Sequence, residues 1–300
     1  MTKVLITGSS GFLGKKLVSE LVSNYVVSTL SRANSLYSFD LSRDIPIFNE
    51  SFDIVIHAAG LAHITSNFNE INNQFFNVNV IGTKNLLSGL QIVGVPKKFV
   101  FISSVSVYGI SSGIYINEMS DLTAKDSYGL SKIEAENIVM KWCKENNVLC
   151  TILRLPLIVG IDSPGNLGSM INGIKKRFYF NIAGGKAKKS MVLASDVAKY
   201  IINAAEVGGV YNLTDGHNPS FFELSIHIAK QIGTHPPMNI PIWLAKIIAL
   251  LGDLLGSKVP LNTERLKKII SNLTFDDSKA RTSFGWKPTP VLSRNFISDL

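Results

Sequence analysis

A glycine-rich turn near the start constrains the fold of this chain more than any other feature of its sequence. Residues 4–7, Val-Leu-Ile-Thr, predict a buried strand, and the segment Gly8 to Gly14 follows at once and opens a helical pattern. Glycines three apart permit a tight turn, let backbone amides approach a pyrophosphate, and leave the positive end of the helix dipole available to it. We therefore predict that a dinucleotide is bound by Gly8, Ser10, Gly11, Phe12, Leu13 and Gly14.

Strands and helices alternate through the first half of the 300-residue chain. Helical patterns near residues 12–22, 71–92 and 129–145 separate short apolar runs. Continuous apolar strands joined by helices indicate a parallel, doubly wound α/β Rossmann sheet. The predicted strands are residues 4–7, 25–30, 53–57, 99–103 and 149–154.

After residue 154 the alternation gives way to loops rich in proline and glycine. A loop-rich segment over the carboxyl edge of such a sheet is where a substrate is held. We predict a dinucleotide-binding Rossmann domain of residues 1–155 plus about 190–212. A smaller C-terminal substrate-binding lobe is predicted for about 156–189 and 213–300.

The end of the second strand bears on the choice of cofactor. A site selective for NAD has an acid here for the ribose hydroxyls, whereas this chain has Ser31 followed by Arg32. A guanidinium suits a 2′-phosphate, which favours NADP, although an exposed loop arginine is the alternative. Asp40 and Leu41 stand where a side chain could meet the adenine, and an ordinary turn aspartate is the alternative there. The expected cofactor is NAD(P), with a preference for NADP.

A tyrosine and a lysine, Tyr128 and Lys132, lie four residues apart on a predicted helix and hence on one face. A nearby cation lowers the pKa of a phenol, which would suit a group that exchanges a proton with a sugar hydroxyl. Ser104, at the end of the fourth strand, could hydrogen-bond the same oxygen. This spacing occurs often by chance, so its value rests on the order of glycine loop, strand-end serine and helix.

The formal charge of +8 and the pI near 9.3 favour anionic ligands such as diphosphates. Aromatic residues do not alternate with the basic clusters as they do in a nucleic-acid stacking surface, so we predict no nucleic-acid partner. The histidines at 217, 227 and 235 are too scattered for a metal site, and none is predicted.

The most apolar segment, residues 240–255, is interrupted by Lys246 and Asp253. It is shorter than the ~20 residues of a membrane span, so we predict no span. We interpret it as a helix that faces the core, and a helix on a membrane surface is the alternative. The N-terminus enters a strand with no apolar leader, which favours a cytoplasmic protein. Cys143 and Cys150 lack metal-ligand spacing and fit reduced, buried thiols.

Taken together, these motifs resemble the extended short-chain dehydrogenases/reductases of the NAD-dependent epimerase/dehydratase family. The resemblance runs nearly end to end and is strongest through residue 200. It rests on residues 7–14, His57-Ala58-Ala59-Gly60, Asn79-Val80-Ile81-Gly82-Thr83, residues 103–109, residues 128–132, Arg154-Leu155-Pro156 and Phe284-Gly285-Trp286-Lys287-Pro288.

The resemblance implies a role for several residues. Tyr128 would be the acid/base, Lys132 would also hold the nicotinamide ribose, and Ser104 would orient the reacting oxygen. Ala58, Ala59, Gly60 and Pro156 would line the cofactor cleft. Asn166 and Leu167 would meet the nucleotide, and Lys189 would replace the arginine that many relatives place on the diphosphate. His57 and His63 are candidates for catalysis, but His57 closes a core strand and is interpreted as structural. The family also implies a possible homodimer through helices near 71–92 and 129–145.

The residues beside the predicted catalytic set narrow the choice among the reactions of the family. Val105 and Ser106 occupy the places where a dehydratase needs an acidic pair, so dehydration is disfavoured. Leu157 stands where UDP-galactose 4-epimerases usually have asparagine, and residues 154–160 resemble UDP-N-acetylquinovosamine-type dehydrogenases. The expected function is reduction at C4 of a UDP-linked 4-keto-6-deoxy sugar in polysaccharide precursor synthesis. UDP-sugar 4-epimerase is the alternative, and a non-catalytic dinucleotide-binding scaffold is an alternative of another class.

Overall fold

A parallel seven-stranded sheet forms the centre of the protein, in a computed structural model that describes residues 1–62, 73–255 and 261–297. Its strands are β1 (Lys3–Thr7), β2 (Val26–Ser31), β3 (Tyr37–Ser38), β4 (Ile54–His57), β5 (Lys98–Ser104), β7 (Leu149–Leu155) and β11 (Gly209–Asn212). Every pairing in the sheet is parallel. The predicted Rossmann fold is therefore confirmed, and each predicted strand lies within one residue of its observed bounds.

The order of the strands fixes where a ligand can bind. Across the sheet they run β3-β2-β1-β4-β5-β7-β11, so the chain builds outward in one direction from β1 and in the other from β4. A crevice opens between the carboxyl ends of these two strands, because their connections leave on opposite faces. The glycine turn after β1 and Ala58 to Gly60 after β4 lie at this crevice.

Helices cover both faces of the sheet. On one face α1 (Phe12–Leu21) and α5 (Ala194–Val207) pack over β1, β4 and β5. On the other, α2 (Gly82–Val93), preceded by a π-helical turn (Phe76–Ile81), packs beside α3 (Ser127–Glu145). The helices expected near 12–22 and 129–145 are confirmed. Of the one expected near 71–92, residues 71 and 72 lie outside the described residues.

Short paired strands and helices complete the chain. The pairs are β6 (Gly113–Ile116) with β13 (Leu273–Phe275), β8 (Leu157–Val159) with β10 (Met191–Leu193), and β9 (Asn181–Ile182) with β12 (Asn239–Ile240). The helices are α4 (Gly165–Lys175), α6 (Phe221–Ile232), α7 (Ile242–Leu255), α8 (Thr263–Ile270) and α9 (Ser278–Phe284). Phe284 and Trp286 pack in the same core as α1 and α5. The division into a Rossmann domain and a C-terminal lobe stays a prediction.

The prediction that the apolar segment 240–255 faces the core is wrong for its large side chains. Ala245 and Ala249 of α7 are buried against Leu266 of α8. Trp243 is 61% exposed and Leu254 is 83% exposed. The reason is that α7 packs through its smallest residues, which let the two helices approach closely and turn the large side chains away from the protein. Among the described helices, none combines the length and hydropathy needed to cross a membrane.

Candidate active site

The glycine turn has no room for side chains at two of its three glycines. Gly8 has φ of +68°, and a Cβ there would lie 2.7 Å from the Ala59 Cα. A Cβ on Gly14 would lie 2.0 Å from the Gly8 carbonyl oxygen. Helix α1 begins after Gly11, which has no side chain that could cap the helix. The first backbone amides of α1 are therefore not hydrogen-bonded by a side chain at that position. This tight, uncapped turn fits the pyrophosphate of a dinucleotide.

The loop after β4 runs between this turn and the helix α3. Ala59 donates its amide proton to Thr7 Oγ1 over 3.1 Å. A Cβ on Gly60 would lie 3.1 Å from Lys132 Nζ and 3.2 Å from Asn79 Oδ1. The backbone of residues 58–60 therefore links the predicted cofactor turn to the predicted catalytic lysine without an intervening side chain.

A buried chain of hydrogen bonds crosses the sheet beneath this loop. His57 Nδ1 lies 2.7 Å from Thr7 Oγ1, and its Nε2 lies 3.0 Å from Thr83 Oγ1. Because the Thr83 hydroxyl donates its only proton to the Asn79 carbonyl, Nε2 must carry the imidazole proton. Burial lowers the pKa of His57 to about 3. His57 is thus neutral and structural in this fold, while His63 lies outside the described residues.

The same chain of hydrogen bonds continues to α3, which carries the predicted catalytic residues. Asn79 Nδ2 donates to Ser131 Oγ over 2.9 Å, and Ser131 Oγ donates to the Tyr128 carbonyl over 2.8 Å. Asn79 also hydrogen-bonds both backbone groups of Leu61, which follows Gly60. Sequence reasoning quoted Asn79 within a motif and assigned it no role. The signal that could have found it is an amide inside an otherwise apolar helical segment.

Ser104 and Tyr128 meet at the carboxyl end of β5. Tyr128 lies in the first turn of α3, which Asp126 caps by accepting from the Gly129 amide over 3.0 Å. The Tyr128 ring packs on Phe75, with centroids 5.5 Å apart. Burial raises the pKa of Tyr128, opposed by a hydrogen bond with Ser104. The Ser104 hydroxyl also bonds Ser106 Oγ over 3.1 Å.

Lys132 does not lower the pKa of Tyr128 as the sequence argument expected. Its Nζ donates to the Ile102 carbonyl over 2.9 Å and lies 4.8 Å from the centroid of the Phe101 ring, so its charge is directed towards β5. Burial lowers the pKa of Lys132 to about 8, opposed by the charge of Glu136. Lys132 remains mostly protonated at neutral pH. The phenol is protonated too, because desolvation outweighs the other influences on it.

A buried ion pair anchors α3 one turn beyond Lys132. Glu136 is fully buried and accepts from Arg154 of β7 through both carboxylate oxygens, at 2.7 and 3.1 Å. Arg154 also donates to Tyr108 Oη, which in turn donates to Asn212 Oδ1 over 2.8 Å. Ser103 donates a short hydrogen bond to the same carboxylate. Sequence reasoning missed this pair, although an arginine closing an apolar strand is a usable signal.

The residues predicted to select the cofactor lie at the outer side of the crevice. Arg32 is exposed just after β2. Ser31 is buried, and its hydroxyl donates to the Ala33 carbonyl over 2.6 Å. Asp40 Oδ1 accepts from both the amide and the hydroxyl of Ser42, at 3.1 and 2.7 Å, so one carboxylate oxygen serves a turn. Leu41 is buried in the core beside α2.

The predicted substrate residues lie farther from Tyr128. Pro156 is half-buried between β7 and β8, Asn166 is exposed at the start of α4, and Leu167 is buried in the core under α4. Lys189 Nζ donates to the Lys268 carbonyl of α8 over 2.9 Å, and burial lowers the pKa of Lys189 to about 8. Among described contacts, none joins Asn166 or Lys189 to the catalytic set.

A cavity of about 770 Å³ lies elsewhere in the described part of the protein. It is bounded by α1, the start of α5 and the C-terminal segment, with Phe12, Lys199 and Arg294 among its lining residues. Ser104, Tyr128 and Lys132 are not part of it, so cavity size alone would misplace the chemistry. The described residues hold no cluster of three or more His, Cys, Asp or Glu side chains suited to a metal ion.

Comparison with known proteins agrees with this geometry. A profile of the NAD dependent epimerase/dehydratase family matches residues 4–214. UDP-glucose 4-epimerase of Vibrio cholerae is 28% identical, over 98% of this chain and 93% of its own length. N-acetyl-alpha-D-glucosaminyl-diphospho-ditrans,octacis-undecaprenol 4-epimerase of Escherichia coli O157:H7 is 25% identical, over 93% and 89%. The structure of RMD from Pseudomonas aeruginosa complexed with NADPH shares the fold, with a TM-score of 0.75 at 21% identity over 97% of this chain and 95% of that chain.

Proposed function

The chain belongs to the NAD dependent epimerase/dehydratase family, and from that premise we propose that this enzyme reduces C4 of a UDP-linked 4-keto-6-deoxy sugar. The observation that carries the proposal is the hydrogen bond between Ser104 and Tyr128 at the carboxyl end of β5, with Lys132 one turn along α3 and its Nζ beside Gly60. One bound sugar carbon can be reached there from the cofactor crevice and from the phenol.

The protonation state of Tyr128 suits the role of proton donor. Because burial raises its pKa, the phenol is a proton donor at neutral pH. A reduced nicotinamide, held in the crevice by the glycine turn, would supply the hydride for C4. Tyr128 Oη gives its proton to O4 as the carbonyl becomes an alcohol, while Ser104 Oγ donates a hydrogen bond to the same oxygen. Lys132 keeps a positive charge at the crevice, where it can hold the ribose.

Elimination of water is not supported by the residues beside Ser104. Val105 and Ser106 form a short 3₁₀ turn after β5, and the Ser106 hydroxyl is engaged with Ser104. Neither residue is an acid that could protonate a leaving hydroxyl. The proposed reaction therefore ends with hydride and proton transfer.

NADPH is the proposed donor. Arg32 is exposed where a ribose 2′-phosphate would lie, and Ser31 before it carries no charge that would repel a phosphate. A protein of the same fold, RMD from Pseudomonas aeruginosa, has been solved with NADPH. For the substrate, Asn166, Leu167 and Lys189 are the proposed contacts to the nucleotide and its diphosphate.

A 4-epimerase is the second candidate, and the relatives favour it. The matched proteins of Vibrio cholerae and Escherichia coli O157:H7 are both named 4-epimerases, of UDP-glucose and of a lipid-diphosphate-linked sugar. Epimerisation needs the same Ser104, Tyr128 and Lys132 but returns the hydride to the other face of C4. It also needs a dinucleotide that stays bound through the cycle.

Two incubations of the purified protein separate these functions. In the first, UDP-sugars are supplied without added cofactor, and epimers are sought by chromatography. In the second, a UDP-linked 4-keto-6-deoxy sugar is supplied with NADPH, and loss of NADPH absorbance is followed. The proposal expects turnover only in the second. Epimers formed by the protein's own bound dinucleotide would contradict it and establish the second candidate.

A further inference from the structure

One side of α7 carries large apolar side chains that face away from the protein. At 3.6 residues per turn they fall in an arc about 120° wide. The opposite side holds Ala245, Ala249 and Gly252, which are buried towards α8. The six side chains, each at least 36% exposed and together called the α7 face, are Trp243, Leu244, Ile247, Leu250, Leu251 and Leu254.

The chemistry of the α7 face differs from that of a protein–protein interface. Interfaces between proteins carry about one hydrogen bond per 100–200 Å² and mix polar with apolar side chains. The α7 face has a single polar group, the indole N–H of Trp243. The hydrocarbon of a lipid bilayer needs no hydrogen-bonding groups on the surface that contacts it. Exposed apolar patches of this kind mark partner or membrane sites in soluble proteins.

Basic residues outnumber acidic ones on α7 and α8, with four lysines and arginines against Asp253 and Glu264. Lys246 lies on α7 beside the α7 face, and Lys267 is exposed on α8. Of the carboxylates nearby, Glu264 pairs with Lys268 at 2.7 Å, whereas Asp253 accepts from the uncharged Thr263 amide and keeps its negative charge. A second basic cluster precedes β9, whose partner β12 leads into α7. Its members, Lys175, Lys176 and Arg177, are exposed and, like Lys246 and Lys267, form no salt bridge with a carboxylate in the described parts of the chain.

We propose that the α7 face binds the surface of a bilayer that contains anionic lipids. With 14 residues, α7 is about 21 Å long and falls short of the ~30 Å hydrocarbon core, so it lies in the plane of the interface. Leucine and isoleucine side chains enter the acyl region, Trp243 sits at the headgroup boundary, and the surrounding lysines meet lipid phosphates.

Helix α8 connects this surface to the rest of the protein. It packs against α7 through Leu266, and its Lys268 carbonyl accepts from Lys189. Docking therefore holds the C-terminal part of the chain against the bilayer. The crevice between β1 and β4 belongs to the central sheet and is not part of the docking surface. Membrane binding and catalysis are separable properties, so each can fail without the other.

Vesicle binding tests the proposal on the full-length protein. Vesicles of equal parts phosphatidylglycerol and phosphatidylcholine are compared with vesicles of phosphatidylcholine alone, by co-sedimentation and by tryptophan emission. The emission is recorded in a Trp142→Phe background, in which the exposed Trp243 and the buried Trp286 remain, so that a change on vesicle binding reports on Trp243. We expect binding to the anionic vesicles with a blue shift, and weaker binding to the neutral ones. The double variant Leu250→Asp/Leu254→Asp should bind the anionic vesicles at least about tenfold more weakly.

A matched control replaces two other exposed apolar residues, as Ile47→Asp/Ile92→Asp, which lie 78% and 81% exposed outside α7. This control should bind vesicles like the wild type. Circular dichroism checks that all variants are folded. Failure of the wild type to bind anionic vesicles would overturn the proposal, as would equal binding by the Leu250/Leu254 variant. A wild-type dimer that this variant dissociates, without vesicle binding, would assign the α7 face to a second copy of the chain.

Discussion

Helices α3 and α7 invert the usual pattern of burial in opposite ways. Helix α3 buries Lys132 and Glu136, whereas α7 exposes Trp243, Leu250 and Leu254. Buried charges and exposed apolar clusters are both costly unless something compensates them. In α3 the compensation lies within the protein, as the Glu136–Arg154 pair and the Ile102 carbonyl bound by Lys132. In α7 the described structure supplies none, so compensation must come from a partner.

The first prediction concerns the hydroxyl of Tyr128 in α3, which can be removed while the packing of the ring is kept. Tyr128→Phe deletes the proton donor and leaves the ring on Phe75, so we expect turnover to fall about 10²–10⁴-fold with dinucleotide binding retained. Tyr115→Phe, at an exposed tyrosine of β6, is the matched control and should keep full activity. Steady-state kinetics measure both. Full activity in Tyr128→Phe would contradict the role of Tyr128 as proton donor. Partner binding that Tyr128→Phe retains, with no turnover in the wild type, would favour the scaffold alternative.

A second prediction removes the internal compensation in α3. Glu136→Ala leaves the Arg154 guanidinium buried and unpaired, and we expect a loss of about 3–5 kcal/mol of unfolding free energy. Glu145→Ala removes an exposed partner of Lys141 on the same helix, at 3.9 Å, and should cost less than about 0.5 kcal/mol. Urea unfolding measures both. Equal losses would mean that burial of the pair has no energetic consequence.

A third prediction tests the buried polar group His57 through the pH dependence of the unfolding free energy. The pKa of His57 is about 3 in the folded protein, below the ordinary value near 6.5. As the pH falls, the imidazole of His57 is protonated in the unfolded chain before it is protonated in the folded protein. The contribution of His57 to stability is therefore present above pH 6.5 and is lost as the pH falls towards 3. The slope is at most about 1.4 kcal/mol per pH unit. His57→Gln should flatten the slope of unfolding free energy between pH 4 and 6.5, and an unchanged slope would refute it.

The smallest effect is expected on α7. In the absence of lipid, Leu250→Asp should change the unfolding free energy by less than about 0.5 kcal/mol, because the side chain is already in water. Ala249→Asp, one residue earlier, buries a charge against Leu266 and should be clearly destabilising or detach α7. Thermal unfolding compares the two variants. If the leucine variant is the more damaging one, the exposed face is wrongly assigned.

The sequence predicted the architecture better than the environment of individual side chains. The strands were placed within one residue because continuous apolar runs between helices have few other solutions. The glycine turn was recognisable because tight backbone approach demands glycine at 8 and 14. The prediction that Lys132 lowers the pKa of Tyr128 was wrong. Helical spacing shows that two side chains share a face, but it does not show which acceptor a flexible ammonium group binds. Roles for the catalytic, cofactor and substrate residues remain predictions.

By itself the sequence determined the Rossmann class, the glycine turn and the placement of Tyr128 and Lys132 on one helix, because these depend on local backbone geometry and periodicity. Only the tertiary structure decided that His57 links Thr7 to Thr83, that Glu136 meets Arg154, and that α7 turns its large side chains outward. Those facts depend on contacts between residues distant in sequence. An apolar pattern specifies which surfaces avoid water, but only packing against α8 decides which side of α7 is covered.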